Sequence, residues 1–344
     1  MTIAYIILDL VCIAEDLFCS ILSFAVVLGI TMPFVGALVR YRANYTPKTG
    51  AVHLEDEAGD EGIGAHHSDA SIGYFGMMGR VYRFEGWVGL YKGIVPSIIA
   101  CCIGLFAVVP ITVVAALEWH VIPYGRVYLP PQYPGMMGWI LGLGLSTLPA
   151  LLLVPMRIII NRAITTPHKL SAFGARTSLP ILLSPAERAQ PLRLYLAPGV
   201  AFAVVLEALL APSLSFLSFA TYPIPDFQRV LALPFLLLTA MLVTPLQVIA
   251  ARLTLQRRSA GADILDAEVD AVTPPPLYSP EPVVAFRHTV VDGGVVPYTS
   301  LFDCARKIVA EEGWGVFTRG WWLTFIALLL SVLTPKTILT PILN

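Results

Sequence analysis

Four stretches of this chain run for 22 to 30 residues without a charged side chain: 17–39, 94–117, 127–156 and 230–251. A helix of roughly 20 apolar residues is what crosses ~30 Å of hydrocarbon. Two further stretches are less clean, since 194–225 is broken only by Glu207 and 320–335 is short. Hydrophobic residues make up 56% of the chain and charged residues 13%, about half the usual charged share of a soluble globule. Such a pattern excludes a soluble enzyme, a nucleic-acid-binding domain and a disordered chain. It predicts an all-α integral membrane protein with about six transmembrane helices.

Charge placement predicts a topology. If the first, third and fifth spans end near Arg42, Arg162 and Arg252, 19 of the 22 Lys and Arg fall on one face, and only Arg126, Arg229 and Lys336 on the other. A basic flank of this kind faces the negative interior compartment. The net charge of −1 points to no anionic partner or nucleic acid. Cys12, Cys19, Cys101, Cys102 and Cys304 are odd in number, lack metal-type spacing and lie mostly in apolar runs, so they read as small hydrophobic filler. The first charged residue is Asp9, which leaves neither a secretory signal nor an Arg-rich transit peptide, so any organellar targeting is expected to be internal.

The odd spans share an element in which proline is followed seven residues later by arginine: Pro33 to Arg40, Pro155 to Arg162 and Pro245 to Arg252. A second element, opening acid-Gly, carrying an aromatic near its end and closing base-Gly, follows twice, as EGWVGLYKG from Glu85 and EGWGVFTRG from Glu312, the aromatic being Tyr91 in the first and Phe317, one place earlier, in the second. The middle copy, RAQPLRLYLAPG at 188–199, keeps Tyr195 but reads as having lost its acid, its base and the surrounding glycines. These motifs, and the stretch YTSLFDCARKIVAEEGWGVFTRG at 298–320, resemble the mitochondrial carrier family along the whole chain, strongly in the first and third copies. The resemblance implies six transmembrane helices in three tandem two-helix repeats with pseudo-threefold symmetry. It divides the chain into 1–125, a degenerate 126–225, and 226–344, in a mitochondrial membrane. Insertions at 46–72, rich in acids and containing His66 and His67, and at 257–297, containing PPPLYSPEP, read as solvated, disordered loops on the basic face, either tolerated surface insertions or places where a protein partner would dock. The two histidines lack further ligand spacing, so no metal is expected.

The same resemblance separates what is kept from what is lost. Carriers close on their basic side through ion pairs between the acid two residues after the proline and the base five after. Here those positions hold Val35, Arg157 and Gln247, and Leu38, Ile160 and Ala250. The base seven after survives as Arg40, Arg162 and Arg252, and is expected to pair with Glu85 and Glu312 and tie neighbouring repeats together, so that a charge swap at Arg252 and Glu312 would partly restore stability. Counting seven residues from Gly93, Ala197 and Gly320 gives Ala100, Val204 and Ala327 as substrate-contact positions, none polar, which disfavours an anionic metabolite. Glu207, the ionisable residue in the fourth span, reads either as a functional group for proton coupling or a cation, or as a carboxyl that pairs with Arg157 or a backbone group or stays protonated. Lys92, Gly93, Arg319 and Gly320, at the starts of even helices, are expected to hold lipid phosphate, with cardiolipin the lipid that the resemblance implies. No cofactor is expected, and no enzyme motif is present.

Two functions follow. One is transport of a small neutral or weakly polar solute without the usual salt-bridge gate. The other is a carrier fold that has given up transport and acts as a membrane adaptor in mitochondrial fusion, fission or protein insertion, as in the family's outer-membrane branch.

Overall fold

The computed structural model of the chain describes residues 2–48, 72–108, 122–124, 127–129, 143–144, 147–171, 174–220, 225–256, 276–279, 282–287 and 297–333. Within these it is predominantly helical. The helices are α1 (Thr2–Ala43), α2 (Tyr74–Leu90), α3 (Ile94–Ile103), α4 (Val154–Thr165), α5 (Ala175–Leu182), α6 (Pro185–Ala189), α7 (Val200–Ala220), α8 (Pro225–Leu255), α9 (Leu301–Glu311) and α10 (Trp321–Leu333). Two helical stretches among the described residues, Leu22–Ala43 and Leu233–Leu255, are long and apolar enough to cross a membrane. The pair Tyr74–Leu90 and Ile94–Phe106, bent by 48°, makes a third if it forms one span. Outward-facing Leu22, Val26, Val27, Ile30 and Phe34 on α1 are exposed, as expected where lipid is the solvent.

The third apolar run departs from a single helix. Val127–Leu129 pairs with Ile122–Tyr124 in a short antiparallel hairpin, so no helix begins at Val127. Helical turns resume at 147–152, break at Leu153 and restart at Val154 with Pro155 in the first turn. Proline has no amide hydrogen and is tolerated there, where no intrahelical acceptor is available to it in any case. Pro33 and Pro245 instead lie inside α1 and α8.

Helices α1, α4 and α8 touch one another pairwise and form a triangle, with α3 against α1 and α4, α7 against α8 and α4, and α10 against α8. One core of Val154, Ile158, Val200, Leu246, Ile249 and Ile308 joins α4, α7, α8 and α9. The helix α9 shows why: Leu301, Cys304 and Ile308 recur at three- and four-residue spacing and are buried, while Ser300 caps the start by accepting from the Asp303 amide. Burial pushes the Cys304 thiol up to about 12, which leaves it protonated apolar filler.

The start of α3 and that of α10 directly follow glycines in the left-handed region, Gly93 (φ 86°) and Gly320 (φ 73°), and Gly199 (φ 73°) stands in the same relation to α7. A Cβ there would press on Ile164 beside Gly93, on Leu38 beside Gly320 and on the backbone of Leu301 beside Gly199. Both the positive φ and the close approach select glycine.

Part of the 257–297 insertion is ordered against the basic end of the helices, contrary to the solvated loop that its composition suggests. The Tyr278 amide donates to the Pro167 carbonyl (3.1 Å) and the Lys169 amide to the Pro276 carbonyl (3.0 Å), framing an antiparallel bridge between His168 and Leu277. The Tyr45 amide donates to the Ala285 carbonyl (2.9 Å), and the Ala285 amide to Asn44 Oδ1 (3.0 Å). Val283 and Val284 are buried with Ala43, Met77, Val81 and Leu90, and Phe286 and Leu255 pack against them. In the other insertion, Thr46 and Lys48 are tied to Glu312 and to the end of α9. Its acidic stretch, with His66 and His67, lies outside the described residues.

Candidate functional site

Arg40, Arg162 and Arg252 each leave the last turns of α1, α4 or α8 and meet a buried carboxylate. Arg40 Nη2 donates to Glu85 Oε2 at 2.7 Å. Arg162 holds Glu187 with two parallel bonds, 2.7 and 3.0 Å. Arg252 likewise holds both oxygens of Glu312. These side chains are only 1–4% exposed. A bidentate guanidinium–carboxylate contact is the strongest of protein ion pairs, and its burial makes each member depend on the other. Each pair closes within its own segment of the chain, not between segments as expected.

What crosses to the next segment is a carbonyl bond. Thr166, Gln256 and Asn44 each stand eleven residues after the motif proline. The Thr166 carbonyl accepts from Lys92 Nζ (2.8 Å), that of Gln256 from Arg162 Nη2 (2.8 Å) and that of Asn44 from Arg252 Nη2 (2.9 Å). Arg162 and Arg252 also donate through Nε to carbonyls nine residues after the next proline, those of Thr254 (2.9 Å) and Arg42 (3.2 Å). Orphan carbonyls at the three helix C-termini are thereby satisfied by cations, which also oppose the negative helix ends.

The middle acid, Glu187, is the residue that motif reading misses. It lies twelve residues before Gly199, where Glu85 and Glu312 lie eight before Gly93 and Gly320. The stretched spacing hides it. Its signal is the capping box, in which Ser184 accepts from the Glu187 amide (3.3 Å) and Glu187 Oε2 accepts from the Ser184 amide (3.0 Å), with Pro185 in the first turn. The left-handed Gly199, not Ala197, is the glycine that precedes α7. Counting seven from it gives Leu206 in place of Val204; Val204 is buried in the core at 2% exposure, and Leu206 packs, partly buried, against the same core. Ala100 is half-buried and Ala327 exposed.

Two residues after the motif prolines of α4 and α8, a polar chain forms. Arg157 Nη1 donates to Glu207 Oε2 (2.7 Å) and Gln247 Nε2 donates to Glu207 Oε1 (2.7 Å). Thr324 donates to Gln247 Oε1 (3.1 Å) and accepts from Arg42 Nη2 (2.9 Å). Both partners of Gln247 demand the same amide orientation. One carboxylate on α7 thus takes the positions two after the proline on α4 and α8, and the line continues through α10 to α1. Arg157 and Glu207 side chains are 33% and 20% exposed, far more than the ring pairs. In a low-dielectric site the less buried, partly wetted pair is the one that breaks at tolerable cost. Val35, at the same position on α1, contributes no polar group and is exposed.

Lys92 and Arg319, expected beside a lipid phosphate, are engaged with protein acceptors. Lys92 Nζ lies 2.5 Å from Glu85 Oε1 and 4.1 Å from the centre of the Tyr278 ring. Arg319 donates to the carbonyls of Tyr41 and Asn44 and to Thr46 Oγ1. No group of three or more potential metal ligands occurs among the described residues. No protein-family model matches this chain, and no curated protein matches it significantly.

Proposed function

We propose that the chain is a membrane-embedded carrier fold, with six spans in three two-helix repeats around a central path, that transports a small neutral or weakly polar solute and closes with one carboxylate in place of a ring of ion pairs. The observation that carries this reading is the Arg157–Glu207–Gln247 contact at the gate level. A carboxylate inside a span is costly and is by default a functional candidate, and this one, on α7, joins α4 and α8, two helices of the central triangle. The repeat reading is supported by the three arginine–carboxylate pairs, the cyclic carbonyl bonds and the glycine starts. The apolar residues Ala100, Leu206 and Ala327, equally spaced from those glycines, favour a solute without a full negative charge, since an anion desolvated there would lack a partner. A mitochondrial membrane is the location that the family resemblance favours.

Purified protein reconstituted in liposomes is expected to accelerate uptake of at least one solute from a panel of neutral and zwitterionic compounds. Glu207→Ala, or a bulky residue such as Ala327→Trp, is expected to lower that flux at least tenfold. No flux across the panel overturns transport and leaves the adaptor reading, which predicts a co-purifying partner and protease-accessible loops at the outer membrane.

A further inference from the structure

We infer that the stretches 276–279 and 282–287 form a strap that holds the basic-side mouth of the helix triangle shut, an autoinhibitory closure that swings away before the central path opens on that face. The inference rests on the transport reading above.

The strap belongs to the connection after α8, yet its fixings lie elsewhere. Around Leu277 it bridges to His168, just past α4, through the Tyr278–Pro167 and Lys169–Pro276 backbone bonds. Around Ala285 it exchanges bonds with Asn44 and Tyr45, just past α1. Val283 and Val284 bury against Ala43 of α1, and Leu255, the last residue of α8, packs on the same cluster. The two stretches are therefore fixed just past α1 and just past α4, and the end of α8 shares the apolar cluster on which Val283 and Val284 rest. Those ends must separate for a solute to leave between them, and they cannot do so while the strap is bonded at both fixings.

The seat is also suited to release. The Pro276 fixing uses backbone groups of an exposed stretch, which water replaces at small net cost. The Tyr278 ring lies over Lys92 Nζ at 4.1 Å and 5.4 Å from Lys169 Nζ. Lys92 is at the same time held by Glu85 and by the Thr166 carbonyl. Loss of the strap uncovers this cation without removing its carboxylate, so the ring outlasts the strap. A tolerated surface insertion would have no reason to be fixed beside two helix ends and to share a cluster with the third. A docking loop for another protein would leave Val283 and Val284 in solvent.

The test uses the full chain with its five cysteines replaced, a reporter cysteine at Ala327, and a second pair, His168→Cys with Leu277→Cys. Directly opposed antiparallel residues have Cα atoms about 4.5–5.5 Å apart, within disulfide range. In proteoliposomes, labelling of the reporter by a membrane-impermeant maleimide from the basic face is followed with the bridge oxidised and then reduced. It is followed again in a strap-released form, Val283→Asp with Val284→Asp. Labelling is expected to rise at least tenfold from the oxidised to the released form, and to rise measurably on reduction alone, which compares one folded protein with itself. Equal, fast labelling in all forms makes the strap a bystander and leaves the path intact. No labelling from either face in any form removes the strap and the transport reading together.

Discussion

Among single residues the arginine–carboxylate pairs separate most clearly into what a charge does and what a shape does. Arg252 gives two bonds to Glu312 and further bonds to the carbonyls of Arg42 and Asn44. Arg252→Ala leaves the buried Glu312 with the Thr46 donors and Arg319 at 3.8 Å in place of its bidentate partner and is expected to cost about 3 kcal/mol. A carboxylate placed at position 252 cannot donate to two carbonyls, so the exchange Arg252→Glu with Glu312→Arg is expected to restore little. The partial rescue predicted from charge alone neglects the carbonyls. Glu187→Ala is expected to destabilise as much as Glu312→Ala, read by thermal or denaturant unfolding in detergent. A much smaller loss at Glu187 would make the middle pair incidental. Glu85 and Glu312 were legible in the sequence because glycines and an aromatic stand at fixed distances from them. Glu187 was not, because four additional residues separate it from Gly199 and only the Ser184 cap marks it. The Arg157–Glu207 contact was half legible: the two lone ionisable groups inside apolar runs suggested each other, whereas an uncharged Gln247 gave no reason to be included.

For the elements, the informative positions are where helices begin and where connections settle. Gly93, Gly199 and Gly320 have positive φ, and a methyl group at each would meet the neighbouring helix or its backbone. Alanine at Gly93 or Gly199 is expected to cost more than ~1 kcal/mol, since strain is added to overlap. Alanine at Gly104, in a helical backbone with open space around its Cβ position, serves as the control and is expected to be neutral or better. Loss of stability at Gly104 equal to that at Gly93 would refute the account. Helical spans were legible from uncharged length, although the stretch from Val127 was misread because apolarity does not distinguish a hairpin from a helix start. The strap was hidden for a different reason. Proline and acid content signals poor self-folding, and says nothing about a seat assembled from Asn44, Tyr45 and Pro167, residues far away in the chain.

In the whole molecule the three cations that reach Thr166, Gln256 and Asn44 run in one sense around the triangle: the first segment reaches the second, the second the third, and the third the first. Each segment therefore both supplies a donor and receives one. The covalent connections between segments add nothing to this circle of donors and acceptors. Two separately expressed pieces, 1–125 and 126–344, are expected to assemble in a membrane and co-purify, and Arg252→Ala is expected to weaken their association, because it removes donors that cross the break alongside those of Lys92 and Arg319. Failure of the unsubstituted pieces to associate would mean that the backbone, not the circle, holds the molecule together. Mechanically, such an arrangement is a hoop: load applied at one joint is shared by the other two. A hoop of three cannot widen at one joint alone without straining the rest, so motion that parts the helices at the basic end is concerted among all three.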